Sequence, residues 1–575
     1  MRWVLLLLVS FAFVPSAAAD FPILQLREQN GKIVSTELPN DSKAAVFVFL
    51  GTECPVNNAY IPRLNELTEK FAKDGVRLVG VNSNEHDTKE SISNHAKEYK
   101  VAFPILRDEN QRLAAALGAQ KTPEAIVVDK KGTIRYRGRI DDQFGVGFQR
   151  PAPKTNDLIE AVADVLAGKD IAPASKSNAA GCYITRAPKA KSGGDLTYAK
   201  DIAPIVQNRC QECHRPGQIG PMPLLTHHDV SSWAAMIKEV VTDKRMPPWH
   251  ADPRFGHFSN DRSLTTAERE KILTWIDSGC PAGNDADLPP AKKFADGWTI
   301  GSPDVVFEMP RAFNVPAKSP ASGIAYQYFP VPTNFDEDMW IEAAEAKPGN
   351  RAVVHHIIVY IMDGKKKMVG GDGIGKGMLV AYAPGDIGTV YQSGSAKRIP
   401  KGAMLVFQMH YTPNGVAQSD RSSVALRFAK KPPELEAVTR GIAQQTFLLK
   451  PKTDDQKVNA VSTFKTDVTV WALMPHMHLR GKAFDFDAIY PDGKTVKLLS
   501  VPKYDFAWQS AYRFSKPLEL PAGTRIKCSA VFDNSENNLS NPDPTKYVYW
   551  GEQTWEEMMI GFVDYSVRKS KQPAE

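Results

Sequence analysis

Between residues 20 and 170, unbroken apolar runs alternate with stretches of helical periodicity. Ala44–Leu50 and Val76–Val81 read as buried strands, and Ala125–Asp129 with Thr133–Gly138 as a hairpin. Arg63–Lys73, Thr88–Tyr99 and Asn156–Ala167 repeat their apolar positions at helical spacing. Strands and helices in turn predict an α/β sheet. Residues 171–197 are rich in Ala, Ser, Lys, Gly and Pro and read as a linker. From 198 to 285 the pattern is helical near Ala199–Asn208, Ser231–Val241 and Thr266–Asp277, with Pro/Gly loops between, which predicts a small all-α domain. A second linker, 286–300, contains Pro289 and Pro290. Beyond it helical periodicity disappears. Short runs such as Val353–Ile361, Met404–Tyr411, Val468–Met474 and Phe484–Tyr490 are split by Pro-Gly, Asn-Gly and Asp-Gly turns, the pattern of two all-β sandwiches over 301–430 and 431–575.

The first 19 residues differ from everything after them. Arg2, an apolar run from Trp3 to Val14 and the small residues Ala17-Ala18-Ala19 form a secretory signal, so the chain is expected to be exported to the periplasm or beyond. No later stretch reaches the roughly 18 unbroken apolar residues of a membrane span. At about 150 residues per domain, 575 residues hold roughly four domains. With 42% apolar and 24% charged residues, wholesale disorder is excluded. Lys and Arg number 71 against 65 acidic residues, a net +6 without long basic runs, so nothing points to a nucleic-acid partner. Six cysteines are too few for a disulfide scaffold. Cys182 and Cys280 bracket the helical segment, which predicts a structural disulfide between them; the alternative makes Cys182 a resolving partner for Cys54.

Cys210-Gln211-Glu212-Cys213-His214 is the C-x-x-C-H motif, in which two thiols bond the haem vinyls and the adjacent imidazole ligates iron. One covalent haem c is expected on Cys210, Cys213 and His214. Met246, in the Pro-stiffened stretch Arg245-Met246-Pro247-Pro248-Trp249, is the favoured sixth ligand. Met222 lies too close in sequence to reach the distal face, and His250 is the competing ligand.

After His257 only five histidines remain: His355, His356, His410, His476 and His478. All fall in or beside apolar strand-like runs, where an unliganded imidazole is costly to bury. H-x-H on a strand presents both rings on one face, whereas an adjacent pair faces opposite ways unless a bulge redirects one. Imidazole suits Zn, Cu, Fe or Ni, and a thioether ligand tips the choice toward copper; a structural zinc site is the alternative.

Residues 300–575 resemble the type 2 copper monooxygenases, the family of peptidylglycine α-hydroxylating monooxygenase and dopamine β-monooxygenase. The likeness rests on Val354-His355-His356-Ile357, Gln408-Met409-His410-Tyr411, His476-Met477-His478-Leu479-Arg480-Gly481-Lys482 and Glu556-Glu557-Met558. It implies two jelly-roll-like sandwiches and two copper ions per chain. One copper would be held by His355, His356 and His410 and store an electron. The other would be held by His476, His478 and Met558 and hydroxylate an aliphatic C–H with O2; Met559 and Met477 are neighbouring substitutes for Met558. It further implies a small organic substrate and an external electron donor, an ascorbate-like reductant or a redox protein, with the haem domain able to reload the coppers. In the peptide-amidating members an Arg and a Tyr hold the substrate carboxylate. Met474 and Phe562 stand there in this chain, so a more apolar substrate is expected.

Residues 20–170 resemble thioredoxin-like and peroxiredoxin-like redoxins. Gly51-Thr52-Glu53-Cys54-Pro55 follows a buried strand and opens a helix, where the helix N-terminus lowers a thiol pKa, and Thr122-Pro123 resembles the cis-proline step facing such a thiol. Neither the second cysteine of C-x-x-C nor the peroxiredoxin T-x-x-C spacing is present, so Cys54 is either a one-cysteine catalytic site or part of a docking domain. The leading reading is a copper monooxygenase. Its rivals are a non-catalytic electron-transfer or copper-binding cytochrome, and a thiol peroxidase centred on Cys54.

Overall fold

The computed structural model describes residues 21–150, 152–169, 179–187, 195–295, 297–320, 323–365, 367–368 and 374–568; the expected signal segment lies outside them. In the N-terminal domain Ala44–Leu50 is buried along its whole length because it has a strand on each side and helices above and below. It runs parallel to Val76–Asn82 and antiparallel to Glu124–Asp129 in a seven-stranded sheet. Alternate residues supply separate cores. Ala44, Val46 and Val48 pack under Pro55–Lys73 and Asp157–Leu166, while Phe47 and Phe49 pack against Leu113 and Leu117 of Arg112–Leu117. That six-residue helix has too short a period to be read from the sequence.

The expected linker 171–197 is not wholly a linker. Cys182–Tyr183 pairs antiparallel with Lys121–Thr122, Ile184 is buried in the core of the N-terminal domain, and Arg186 donates to the Ala119 carbonyl at 2.9 Å. Residues 170–178 and 188–194 lie outside the described residues.

The helical segment comprises Tyr198–Ile202, Ala203–Arg209, His227–Ser232, Ala234–Thr242 and Thr266–Asp277, gathered round Trp275, Ile202, Val206 and Trp233. Thr226 and Thr265 each close a capping box, with Asp229 and Glu268 as the returning carboxylates. The second linker, expected to be free, is packed: Lys292 donates to the Gln207 carbonyl at 3.2 Å and Arg215 lies 4.1 Å over the Phe294 ring.

The C-terminal region is all β. One nine-stranded sheet runs through it, and a four-stranded sheet packs on each half to give two hydrophobic cores. The halves meet where Ser395–Ile399 lies parallel to Leu435–Ala443, with Ser395 opposite Leu435. The expected separate sandwiches are thus joined edge to edge. Buried Lys397 fastens the seam, donating to the Met378 and Leu379 carbonyls and to Thr439 Oγ1. The helical unit docks directly on this region. Phe258 bridges to Phe514, Asn260 donates to the Ala511 carbonyl at 2.7 Å, and Trp249 packs edge-on to Tyr512 at 4.8 Å.

Candidate metal centres

Three imidazoles converge because of one extra residue in a strand. Val354–Met362 pairs antiparallel with Met404–Tyr411, setting Val354 opposite Tyr411 and His356 opposite His410, so a bulge falls at His355. Adjacent strand residues ordinarily face opposite ways, and the bulge turns His355 toward its neighbour. The Nδ1 atoms of His355 and His356 stand 3.3 Å apart. One ring nitrogen from each of His355, His356 and His410 lies within 4.8 Å of the others. His410 directs Nε2 to Thr554 Oγ1 at 3.3 Å and leaves Nδ1 buried without a hydrogen-bond partner among the described residues.

His476 and His478 end the strand Val468–His476 and start the turn after it. Nδ1 of His476 is 2.6 Å from Gln509 Oε1, and Nδ1 of His478 is 3.2 Å from the Glu556 carbonyl. Each contact takes the Nδ1 proton and leaves Nε2 with its lone pair; His478 Nε2 is buried and has no hydrogen-bond partner among the described residues. Burial depresses all five imidazole pKa values. His355 and His476 fall to about 4 and His478 to about 3, while His356 and His410 fall well below the usual range. All five are therefore neutral, the form that binds a metal. The two sets face a common space: the Phe506 ring stacks on His355 at 4.9 Å and lies 6.0 Å from His478 and 6.1 Å from His410.

The three candidate methionines lie in different surroundings. Met477 and Met559 are fully buried in the second β core, whereas Met558 lies with Met474, Ile560 and Phe562 in a cluster on the opposite face. His476 pairs in register with Ile560, two residues past Met558. This apolar cluster also takes in Ile358 and Tyr360 from the strand that bears His356.

Glu557 ties the turn of His478 to the segment of Met558. Its carboxylate accepts the His478 N–H at 2.8 Å and the Arg480 N–H at 2.6 Å, and the Arg480 guanidinium stands 4.0 Å away. Full burial outweighs those favourable partners and raises its pKa to about 7. Glu557→Gln keeps the shape but weakens the anchor. It is expected to reduce metal affinity at His476 and His478 by about 10–100-fold, the usual cost of losing an outer support, while sparing His355, His356 and His410. Isothermal titration with copper checks this, and equal loss at both sets would refute it.

In the helical unit, the turn following Ala203–Arg209 carries Cys210, Cys213 and His214, with the His214 N–H on the Cys210 carbonyl at 3.0 Å. His214 Nδ1 is 3.0 Å from the Met222 carbonyl, which leaves Nε2 for a metal. Met222 thus works through its backbone on the His214 side. Gly220 is needed here, since a Cβ would come within 2.8 Å of His214 Nδ1. The two thiols, the freed imidazole nitrogen and their spacing in one turn fit a covalently held haem. Met246 is half-buried in the loop after Ala234–Thr242, its N–H 3.2 Å from the Val240 carbonyl.

Cys54 caps the helix Pro55–Lys73, accepting the Asn57 N–H at 3.4 Å, and its thiol donates to the Thr122 carbonyl at 3.0 Å. The Thr122–Pro123 bond is cis. The expected Cys182–Cys280 disulfide is absent: both are free thiols, and strand pairing at Thr122 carries Cys182 to Cys54 instead. Cys528 is buried in the second β core.

Phe506, Gln509 and Thr554 escaped the sequence reading, and Glu557 entered it only as part of Glu556-Glu557-Met558. Each supports a candidate ligand rather than being one.

The AhpC/TSA family model matches residues 16–137. The thiol-disulfide oxidoreductase ResA of Bacillus thuringiensis (strain Al Hakam) is 25% identical over 134 residues, spanning 22% of this chain and 76% of that protein. ResA of Halalkalibacterium halodurans is 25% identical over 134 residues, spanning 22% and 75%. Among solved structures, a hypothetical protein from Sinorhizobium meliloti 1021 is 28% identical, covering 29% of this chain and 93% of that one with a TM-score of 0.26. The sheet order, the cysteine-capped helix and the family match agree: the N-terminal domain is a thioredoxin-like redoxin of the AhpC/TSA type, joined to a large all-β region.

Proposed function

We propose that the chain is an exported oxidoreductase whose all-β region is a copper-dependent monooxygenase acting on an apolar organic substrate, with the helical unit holding haem c as an electron donor. The observation that carries the reading is the neutral triad of half-buried His355 with buried His356 and His410, matched by a second, buried pair, His476 and His478, with Met558 on the adjoining segment. Buried imidazoles with unpartnered nitrogens are costly unless a metal takes them. Thioether beside imidazole favours copper over zinc. Bound copper would supply one-electron and O2 chemistry.

The protein's own contribution is positioning. Gln509 and the Glu556 carbonyl hold the rings of His476 and His478 with Nε2 free, and Glu557 fixes the turn between them. Met474, Phe562, Ile560, Ile358 and Tyr360 form an apolar wall beside Met558, with no basic side chain among them to hold a carboxylate. Substrate would therefore be held by shape and apolar contact, with its C–H bond presented to the site. The helical unit is docked on the β region by strand bridging and aromatic contacts, so a donor held by Cys210, Cys213 and His214 would transfer electrons within the molecule.

Metal analysis of full-length protein matured with haem and loaded with copper should find two coppers and one covalent haem per chain. Oxygen uptake should then require both copper and an organic substrate. Copper binding with haem reduction but no substrate-dependent oxygen uptake would instead make the chain an electron carrier. A single zinc would refute the copper reading.

A further inference from the structure

The redoxin domain has one cysteine where a dithiol redoxin has two, yet the fold supplies a second thiol from outside the domain. Cys182 lies on the two-residue strand Cys182–Tyr183, directly opposite Thr122, and the Cys54 thiol donates to the carbonyl of that same Thr122. Each thiol shifts the other's pKa, as two sulfurs brought to the same edge would. The approach is built into the backbone. Gly181 has φ +143, and a Cβ there would lie 1.9 Å from the Thr122 carbonyl oxygen, so only glycine lets the strand close on this edge. Nearby, Thr122 Oγ1 donates to the Cys182 carbonyl at 3.4 Å, and Lys121 forms an ion pair with Glu239 of the helical unit at 3.2 Å. The pair therefore sits where the redoxin domain, the connecting segment and the helical unit meet.

We infer that Cys54 and Cys182 form a single reversible dithiol–disulfide couple, a second redox site independent of the metal centres, which exchanges two electrons with an external thiol–disulfide compound. Cys54 is the nucleophile. It caps a helix N-terminus, and the Asn57 N–H and the Cys182 thiol outweigh burial to lower its pKa to about 7, while that of Cys182 is raised well above normal. The Cys54 thiolate attacks one sulfur of a substrate disulfide, forming a mixed disulfide and expelling the other sulfur as a thiolate that takes up a proton. Cys182 then loses its proton and attacks the Cys54 sulfur, releasing the second substrate thiol. The substrate has gained two electrons and two protons, and the chain holds a Cys54–Cys182 disulfide. A dithiol donor reverses these steps. Cys54 is only 1% exposed, so the covering strand Cys182–Tyr183 must lift for the first attack.

Full-length, haem-loaded protein equilibrated in mixtures of reduced and oxidised dithiothreitol should show one cooperative two-thiol transition by maleimide labelling. Peptide mapping of the oxidised form should recover Cys54 joined to Cys182. Cys54→Ser and Cys182→Ser should each abolish the transition and leave the partner thiol labelled at every potential, whereas Cys280→Ser should leave it unchanged. Recovery of Cys182 joined to Cys280, or free Cys54 and Cys182 throughout the series in the wild-type protein, would overturn the assignment. Peptide mapping of wild-type protein makes the outcome independent of how well the variants fold.

Discussion

Met558→Ala and Met558→His are expected to abolish substrate-dependent oxygen uptake, by about 100-fold or more, on the scale set by the 10–100-fold cost of outer supports, while most of the copper stays bound. The side chain at this position lies with Met474 and Phe562, in the cluster whose Phe562 ring stands 6.3 Å from the ring of His476. Met477 and Met559 lie in different surroundings. Both are fully buried in the second β core, and Met477 is packed against Gly481, where even a Cβ would meet it at 2.7 Å. Loss of a soft sulfur should shift the bound metal toward Cu(II), and Met558→His, which adds a harder nitrogen, should shift it further. Oxygen electrode rates, copper content and the Cu(II) electron paramagnetic resonance signal measure the three effects. Wild-type turnover in both variants would remove Met558 from the ligand set.

His410→Ala is expected to have an equally large but different effect, lowering copper content from two to one per chain and stopping multiple turnovers. His410 is the cross-strand partner of His356 and supplies a buried Nδ1 with no hydrogen-bond partner among the described residues, so its removal leaves His355 and His356 as a pair without a third ligand. The strand itself should survive, because Phe407 and Met409 on its other face hold the first β core. Copper titration followed by single-turnover and steady-state oxygen uptake separates this variant from Met558→Ala. Unchanged copper stoichiometry would count against the triad.

The alternating apolar runs of the redoxin domain were legible because each strand and helix there carries its own periodicity, as in Ala44–Leu50 and Pro55–Lys73. The β strands bearing the histidines were legible for the same reason: Val354–Met362, Met404–Tyr411 and Val468–His476 all lie within two residues of the expected runs. Residue type and spacing alone marked Cys210, Cys213 and His214 as candidate haem-attachment residues and the five histidines as candidate metal ligands.

Other features depend on contacts between distant segments, which no local period encodes. The bulge that turns His355 toward His356 exists only because their strand pairs with the one carrying His410. Choosing among three neighbouring methionines required knowing which face of Ile560–Arg568 and its preceding segment meets the core. The supporting groups Phe506, Gln509 and Glu557 lie 28 to 151 residues from the imidazoles they touch, and only chain closure brings them there. The cysteines show the division most directly. Composition and spacing suggested Cys182 with Cys280, but a two-residue strand and the glycine before it carry Cys182 to Cys54 instead. The sequence by itself determined which chemical groups are available and which local elements carry them, because those depend on residue type and period. Tertiary structure decided which groups meet, because register, bulges and packing faces are set by partners far away in the chain.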